Sequence, residues 1–178
     1  ATEMSELSYC TFDTALGHCG LIWNEAEAVV GFDLPPVAED RLARRTNGRQ
    51  ASQPSPEIQR VMDLVRKHLT GDPQDFRTIR IEMDGIADLA RAVYVAIREI
   101  PVGETRTYGQ IALQIGHPHA AQAVGQALGS NPIPLIVPCH RIVAAGGKPG
   151  GFSAPGGLRT KEILLELEGG LAQPSLFS

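Results

Sequence analysis

The sequence predicts a mixed α+β chain made of two units that meet near residue 86. In the first third of the chain, short apolar segments are separated by turn residues, which indicates strands. From residue 88 onward the apolar residues recur at helical spacing, and glycine or proline ends each stripe. A length of 178 residues with 43% hydrophobic content suffices for one large core or two small ones. We therefore expect domains at residues 1–85 and 86–178.

In the first unit, segments 9–13, 19–23 and 28–34 are predicted strands of a meander. The basic and polar stretch at 41–53 is typical of a loop. Ser55 and Pro56 then predict a helix start. The apolar stripe that follows comprises Ile58, Val61, Met62, Val65 and Leu69. Beyond this helix, Ile79, Ile81 and Met83 alternate with polar residues, which predicts a further strand.

The second unit opens with a predicted helix at 88–100, with Leu89, Ala92, Val93, Ala96, Ile97 and Ile100 on one face. Thr107 and Gln110 have the spacing of a capping box, which predicts a second helix. A third helix is predicted at 119–128. Helix, short turn and helix is the outline of a helix-turn-helix, although a generic helical hairpin has the same pattern.

Composition limits the classes of partner. The net charge is −4 and the acidic residues are concentrated in the first half, so any DNA-binding face must be local and modest. No apolar run approaches the ~20 residues of a membrane span. Three scattered cysteines predict a reducing, cytoplasmic setting. No metal is predicted, because the possible zinc ligands lack the paired short spacing of zinc sites; they are Cys10, Cys19, His18 and His68.

The most distinctive stretch of the sequence is the hexapeptide Pro-Cys-His-Arg-Ile-Val at 138–143. A cysteine reacts as its thiolate, and a free thiol titrates near ~8.5, so a nucleophilic cysteine needs a basic or positive neighbour. His140 and Arg141 directly follow Cys139 and are candidates for that role. The apolar residues and prolines at 132–138 predict a rigid, mostly buried platform. For a Cys-His pair alone, a small buried cysteine beside a solvated arginine is the alternative.

The predicted helix at 119–128 has an unusual exposed face. A helical wheel places Ala120, Val124, Ala127 and Leu128 on the buried side. The opposite face is small and uncharged, and it comprises His119, Gln122, Gly125, Gln126 and Gly129. Such a face lets a groove or a backbone approach closely, whereas an ordinary solvent-exposed face usually carries long, charged side chains.

A glycine-rich loop at 146–157 and a final helix from 158 to about 168 follow the cysteine. The amides of such a loop can face a ligand at close range, unless the loop is only a flexible hairpin tip. For the helix, the wheel predicts a buried side of Thr160, Ile163, Leu164 and Leu167, with Lys161 at the edge of this face. Glu162 and Glu166 fall on the far side, and Glu168 lies at the edge of the stripe. Glu168 is therefore the acid best placed to orient a histidine beside a thiol nucleophile.

Three segments together resemble the O6-alkylguanine-DNA alkyltransferases, the methylated-DNA–protein-cysteine methyltransferases. The segments are NPIPLIVPCHRIV at 131–143, IPVGETRTYGQ at 100–110 and GLRTKE at 157–162. They occur in the family's order within residues 88–170, so chance is a poor explanation. The resemblance implies a ribonuclease-H-like α/β domain in the N-terminal unit. It implies a winged helix-turn-helix in the C-terminal unit, with the second helix docked in the DNA minor groove.

The resemblance also implies a reaction. The partner is double-stranded DNA that carries O6-alkylguanine, and the damaged base is flipped from the duplex because its alkylated oxygen cannot be reached within the stack. The Cys139 thiolate displaces the alkyl group and keeps it, so the protein acts once, as a monomer and without a cofactor. His140, held by Glu168, serves as the base through a bridging water.

The remaining site residues follow from the same resemblance. Tyr108 hydrogen-bonds the base and favours departure of a neutral guanine, and Asn131 buttresses the site. The expected pocket residues are Ile142, Ser153 and Lys161. The expected DNA contacts are Gln122, Gly125, Gln126 and Arg141.

Two positions depart from the family pattern. Gln122 stands where relatives have an arginine that enters the gap left by the flipped base. Gly129 stands where some relatives carry a basic residue. Both departures predict weaker phosphate attraction and weaker wedging of the duplex.

These departures favour one alternative function, that of an alkyltransferase-like protein which flips or marks alkylated guanine with weak or no repair. Such relatives replace the reactive cysteine, and Cys139 therefore argues against this alternative. A cysteine hydrolase and a plain helix-turn-helix regulator are two further classes. Neither of them predicts a permanent alkyl adduct on Cys139.

Overall fold

A computed structural model describes residues 6–147 and 157–169 and shows the predicted mixture of helix and sheet. The N-terminal half contains β1 (Ser8–Thr14), β2 (Gly17–Trp23), β3 (Val29–Asp33), α1 (Glu39–Arg45) and α2 (Pro56–Leu69). The C-terminal half contains α3 (Asp88–Arg98), β4 (Arg106–Thr107), α4 (Tyr108–Gln114), α5 (Ala121–Gly129), β5 (Ile142–Val143) and α6 (Gly157–Leu167). Short 3-10 turns occupy Phe76–Thr78, Cys139–Arg141 and Ala145–Gly147.

The three N-terminal strands form an antiparallel sheet in chain order, which confirms the predicted meander. Cys10 lies opposite Leu21, and Leu21 lies opposite Phe32, so these three side chains share one face of the sheet. All three are buried. Helix α2 packs against β1, and the sheet therefore presents its apolar face to the interior.

Helix α2 begins and packs as its sequence predicts. The Ser55 hydroxyl accepts a hydrogen bond from the Ile58 amide, and Pro56 occupies the first turn. The whole predicted apolar stripe is buried. His68 lies on the same stripe and is buried as well, so a polar side chain enters the core near the end of this helix.

Two N-terminal predictions are wrong. Within the predicted loop at 41–53, residues up to Arg45 belong to α1, which Leu42 anchors against the sheet. A single apolar residue gives no periodic signal, so the sequence did not indicate this helix. The predicted strand at 79–83 is not formed, because only Ile81 bridges to β3, opposite Val29.

The C-terminal helices agree closely with the sequence. The Thr107 hydroxyl accepts from the Gln110 amide at 3.1 Å, and the Gln110 side chain accepts from the Thr107 amide at 2.8 Å, which confirms the capping box. Helix α5 begins at Ala121, two residues later than predicted, because a turn closes from Ala120 back to His117. Its predicted buried residues Val124, Ala127 and Leu128 are buried.

One hydrophobic cluster runs through both halves and joins the sheet and α2 to α3, α4, α5 and residues 133–137. Hydrogen bonds also cross between the halves, from the Phe32 amide to the Pro132 carbonyl at 3.1 Å and from Arg98 to the Phe76 and Ile79 carbonyls. A domain boundary at residue 85 therefore remains a prediction. No helix within residues 6–147 and 157–169 is long and apolar enough to cross a membrane.

Helix α3 offers a test of this shared core. Ile97 is fully buried within it, whereas Val95 on the same helix is 62% exposed. We expect Ile97→Ala to lower the free energy of unfolding by about 2–5 kcal/mol, because it leaves a cavity. Val95→Ala should change it by no more than about 0.5 kcal/mol. Urea denaturation measures both values, and equal losses for the two variants would contradict the assigned packing.

Candidate active site

The cysteine sits at the end of a rigid turn that Asn131 holds. The side-chain NH2 group of Asn131 donates to the backbone carbonyl of Val137 at 2.9 Å. Its side-chain oxygen accepts from the backbone N–H of Ile133, also at 2.9 Å. Leu135, inside this turn, is buried with φ of 72°, a left-handed conformation that non-glycine residues rarely adopt. The surrounding contacts must hold Leu135 in place. The predicted platform is therefore present, and Asn131 buttresses it.

The Cys139 thiol is buried, and several groups favour its thiolate form. Burial raises the pKa of Cys139, while a hydrogen bond from Asn131, the charge of Lys161 and nearby backbone amides act in the opposite direction. Burial also raises the pKa of both Cys10 and Cys19, to about 11. At Cys139 an amide side chain and a lysine oppose the effect of burial, whereas at Cys10 the opposing group is Arg66 and at Cys19 it is Thr14.

Lys161 is fully buried, and not at the edge of a face as the helical wheel predicts. Its Nζ donates to the Ile142 carbonyl at 2.5 Å. Burial lowers the pKa of Lys161 to about 8, and the nearby Cys139 partly offsets this effect. Ile142 is also buried, in β5 directly after the cysteine turn. Lys161 thus links α6 to the segment that carries the thiol.

Helix α6 is rotated relative to the prediction. Its buried residues are Lys161, Glu162, Leu164 and Leu165, and not the predicted set with Thr160, Ile163 and Leu167. A wheel assigns faces by hydrophobicity and cannot foresee that a lysine turns inward toward a carbonyl group. Glu162, predicted on the far side, is buried and pairs with Arg159. Glu166 is exposed, as predicted.

Glu168 contacts His140, as the sequence predicts. The His140 Nε2 lies 2.8 Å from the Glu168 Oε2, and both side chains are buried. A carboxylate can only accept, so the proton of His140 is on Nε2. The other ring nitrogen, Nδ1, is buried and has no hydrogen-bond partner within the described part of the chain. That nitrogen carries a lone pair that is available to accept a proton.

Arg141, predicted as a DNA contact, has a buried side chain that bonds to Glu168. Its guanidinium donates to both carboxylate oxygens of Glu168, from Nε at 2.9 Å and from Nη2 at 3.0 Å. Nη1 donates to the Ile100 carbonyl at 2.7 Å. The side chain is 6% exposed. In this arrangement the buried guanidinium is the counter-ion of Glu168. Its role as a DNA contact stays a prediction.

His68 is a functional candidate that the sequence did not assign to this site. Its Nε2 lies 2.8 Å from the same Oε2 of Glu168 that contacts His140. A signal was present, because His68 falls on the apolar stripe of α2, and a buried polar side chain needs a partner. The sequence could not identify that partner, which lies one hundred residues further along the chain.

The other residues considered for zinc are far from forming one site. Cys10 contacts Met62, Cys19 contacts Thr14, and His18 pairs with Asp13 at the surface. Within residues 6–147 and 157–169, no three histidine, cysteine or acidic side chains form a group that could hold a metal ion.

Ionisation in this cluster is divided between Glu168 and His140. Burial by itself would raise the pKa of the Glu168 carboxyl, but His140, His68 and Arg141 together hold it well below its usual range. Burial lowers the pKa of His140 despite the attraction of Glu168, and Arg141 and His68 add to this lowering. At neutral pH the cluster therefore combines an ionised carboxylate with a neutral imidazole.

A cleft of about 360 Å³ opens beside Cys139. Asn131, Pro134 and Ser130 line it from the C-terminal half. Asp33, Arg41 and Arg45 line it from the N-terminal half. The sequence analysis missed these three residues, since no local pattern links them to the cysteine. Ser153, the remaining predicted pocket residue, lies outside the described residues.

Helices α4 and α5 place the remaining predicted residues around this region. Strand β4 pairs with β5, so Tyr108 follows directly after a strand that lies beside the cysteine segment. A Cβ atom on Gly125 would lie 3.8 Å from the Tyr108 ring, which shows that α5 passes close to it. Gln122 and Gln126 are exposed and Gly125 is half-buried. The small, uncharged face of α5 is therefore at the surface, as predicted.

The sequence of this chain is similar to sequences of known proteins. Residues 88–170 match the family model of the 6-O-methylguanine DNA methyltransferase DNA-binding domain. The methylated-DNA–protein-cysteine methyltransferase of Haemophilus influenzae is 34% identical over 165 residues, which are 93% of this chain and 88% of that protein. The protein of the same name from Methanosarcina acetivorans is 46% identical over 105 residues, 59% of this chain and 65% of that protein.

The fold has a solved counterpart as well. The crystal structure of Mycobacterium tuberculosis OGT in complex with DNA has a TM-score of 0.75 to this protein at 34% sequence identity. The match covers 96% of this chain and 98% of that one. With sequence similarity along most of the chain and the same fold throughout, the protein belongs to the family of methylated-DNA–protein-cysteine methyltransferases.

Proposed function

We propose that this protein repairs double-stranded DNA by transferring the alkyl group of O6-alkylguanine irreversibly to Cys139, once per molecule. The observation that supports this most directly is the Cys139–His140–Glu168 arrangement beside the cleft. It combines a nucleophile, an adjacent imidazole whose buried Nδ1 has no hydrogen-bond partner in the described ranges, and a carboxylate that orients this imidazole. The exposed, uncharged face of α5 supplies a surface for DNA next to this arrangement.

The chemistry follows from the positions of the protons. His140 holds its own proton on Nε2 against Glu168, so its Nδ1 accepts the thiol proton of Cys139, directly or through one water. The thiolate attacks the alkyl carbon. A sulfur–carbon bond forms as the bond between that carbon and the guanine oxygen breaks. The electron pair of the broken bond stays on the guanine oxygen, and Tyr108 stabilises this charge by donating a hydrogen bond to the base, which takes up a proton and leaves as neutral guanine.

Lys161 and Asn131 stabilise the thiolate while it forms. Asn131 hydrogen-bonds the sulfur, and the Lys161 charge acts on it from α6. Both side chains are also anchored to backbone carbonyls, those of Val137 and Ile142. Groups held in this way need little reorganisation when charge develops on the sulfur. The thioether that forms has no leaving group of comparable quality, so the transfer ends the activity of that molecule.

Access to the lesion requires the base to leave the stack, and α5 is the element proposed to assist. Gln122 is exposed near the start of this helix, and Gln126 lies one turn later on the same side. Gln122 is shorter than arginine and neutral, but it can still donate and accept hydrogen bonds in the vacated space. We propose that Gln122 inserts there, with a smaller benefit than arginine would have.

The first prediction concerns the acceptor. Intact mass after incubation with a methylated duplex should show the addition of one methyl group per molecule, and peptide mapping should place it on Cys139. Cys10→Ala and Cys19→Ala should react like the parent, because these thiols contact Met62 and Thr14 in the N-terminal half, whereas Cys139 lines the cleft. Multiple turnover, or removal of the alkyl group by Cys139→Ala, would contradict the proposal. Binding of the lesion without any adduct would favour the lesion-binding alternative.

The second prediction concerns Glu168. Glu168→Gln should slow the single-turnover reaction by about 10²–10⁴-fold, because the imidazole loses the carboxylate that orients it. Glu166→Gln is the matched control and should leave the reaction rate unchanged, since Glu166 is exposed. Equal rates for the two variants would refute the relay.

Glu168→Gln also leaves Arg141 buried without a counter-charge, so its fold needs its own check. Thermal melting should show whether the variant is folded at the assay temperature. His140→Phe provides a second route, because it removes the base and keeps the pair between Glu168 and Arg141. This variant should lose the same large factor in rate.

The third prediction concerns Gln122. Gln122→Arg should speed the reaction with a methylated duplex by about tenfold. This factor is equivalent to ~1.4 kcal/mol, a part of the few kcal/mol that flipping the base costs. The rate with free O6-methylguanine should hardly change, because no flipping is needed. Gln126→Arg adds the same charge one turn away and controls for phosphate attraction. If Gln122→Arg leaves the duplex rate unchanged, or Gln122→Ala matches the parent, another residue is the wedge.

A further inference from the structure

We propose that His68, which the N-terminal half contributes, is a positioning residue for alkyl transfer and acts on His140 through Glu168. The inference rests on the function proposed above and adds to it a residue from outside the matched DNA-binding segment. The site then contains residues from both halves of the chain, with His68 from the N-terminal half.

The geometry is a carboxylate oxygen shared by two histidines. His68 Nε2 and His140 Nε2 each lie 2.8 Å from Glu168 Oε2. The two imidazoles are 0% exposed and the carboxylate 1%. Water therefore does not compete for this oxygen, and each bond has its full directional effect on the carboxylate.

The two histidines differ at their other ring nitrogen. The backbone N–H of Gln74 donates to His68 Nδ1 at 3.0 Å, so the proton of His68 must be on Nε2, where it points to Glu168. The Phe76 ring lies against the imidazole with centroids 4.6 Å apart. By contrast, His140 Nδ1 has no hydrogen-bond partner among the residues described. His68 is therefore saturated and cannot act as the base, whereas His140 retains a free acceptor.

This asymmetry assigns a role to His68. The bond from His68 fixes Oε2 from the side of α2, while Arg141 holds the carboxylate from the side of the cysteine turn. With both in place, the oxygen that receives His140 Nε2–H has a single position. His140 Nδ1 is then held in one orientation. The imidazole ring therefore does not have to reorient before it accepts the proton of the thiol.

Two substitutions separate this role from simple packing. The side-chain oxygen of His68→Asn takes the place of Nδ1, so it still accepts from the Gln74 amide but does not reach Glu168. The side-chain nitrogen of His68→Gln takes the place of Nε2, so it still donates to Glu168 but leaves the Gln74 amide without an acceptor. The two variants thus each keep one bond and lose the other.

The experiment is the single-turnover rate at saturating methylated duplex, with DNA affinity and melting temperature measured in parallel. We expect His68→Asn to be slower by about tenfold with unchanged DNA affinity, and His68→Gln to stay within about twofold of the parent. In the Glu168→Gln background, His68→Asn should cause no further loss, because its effect passes through the carboxylate. If His68→Asn does not fold, His68→Phe, which keeps a ring against Phe76, replaces it with the same expectation.

The outcomes distinguish the two proposals. If the parent forms no adduct on Cys139, the proposed function fails, irrespective of His68. If the parent reacts and His68→Asn is equally fast, the positioning role is overturned. It is also overturned if Asn and Gln slow the reaction equally in step with their melting temperatures, or if His68→Asn still slows the Glu168→Gln protein.

Discussion

The buried carboxylate of Glu168 is the group around which the rest of the site is arranged. An ionised carboxyl without water is unfavourable unless it is paired and fully hydrogen-bonded. Here two bonds from Arg141 and one from each of two histidines meet that requirement. Loss of one partner from such a pair typically costs about 3–5 kcal/mol. The carboxylate therefore ties the end of α6 to α2 and to the turn that carries the cysteine.

For the proposed reaction, this network also accounts for how a buried thiol could act as the nucleophile. Burial opposes ionisation of Cys139, and the same burial keeps His140 neutral and thus able to accept a proton. Arg141 supports this state because it balances the charge of Glu168 before any proton moves. In the proposed reaction, the negative charge of the thiolate forms near Asn131 and Lys161, which both act to lower the pKa of Cys139. Each ionisable group has a partner that favours the state in which it is needed.

The contribution of the N-terminal half extends beyond support. His68 reaches Glu168 from α2, and Asp33, Arg41 and Arg45 line the cleft beside Cys139. The Phe32 amide bonds the Pro132 carbonyl at the start of the turn that Asn131 holds. Consequently, the position of β3 and α2 relative to the C-terminal helices determines the shape of the cleft and the position of the Glu168 carboxylate.

Local patterns in the sequence determined much of this protein. The strands of the meander, the capped starts of α2 and α4, the buried face of α5 and the cysteine turn all depend on residues within a few positions of each other, and the sequence predicts them. Glu168 was also identified, from its place at the edge of the predicted apolar stripe, although the buried face of α6 is rotated from that prediction. These features follow from periodicity and capping, which operate along a single element.

Only the tertiary structure decided which polar groups turn inward and what they meet. Lys161 and Glu162 are buried although the wheel favoured apolar neighbours, since a carbonyl group and an arginine satisfy them. Arg141 turns inward to Glu168, and His68 bonds the same carboxylate one hundred residues away. A buried polar side chain is stable only with a partner, and that partner is set by how distant elements pack, which no local pattern records.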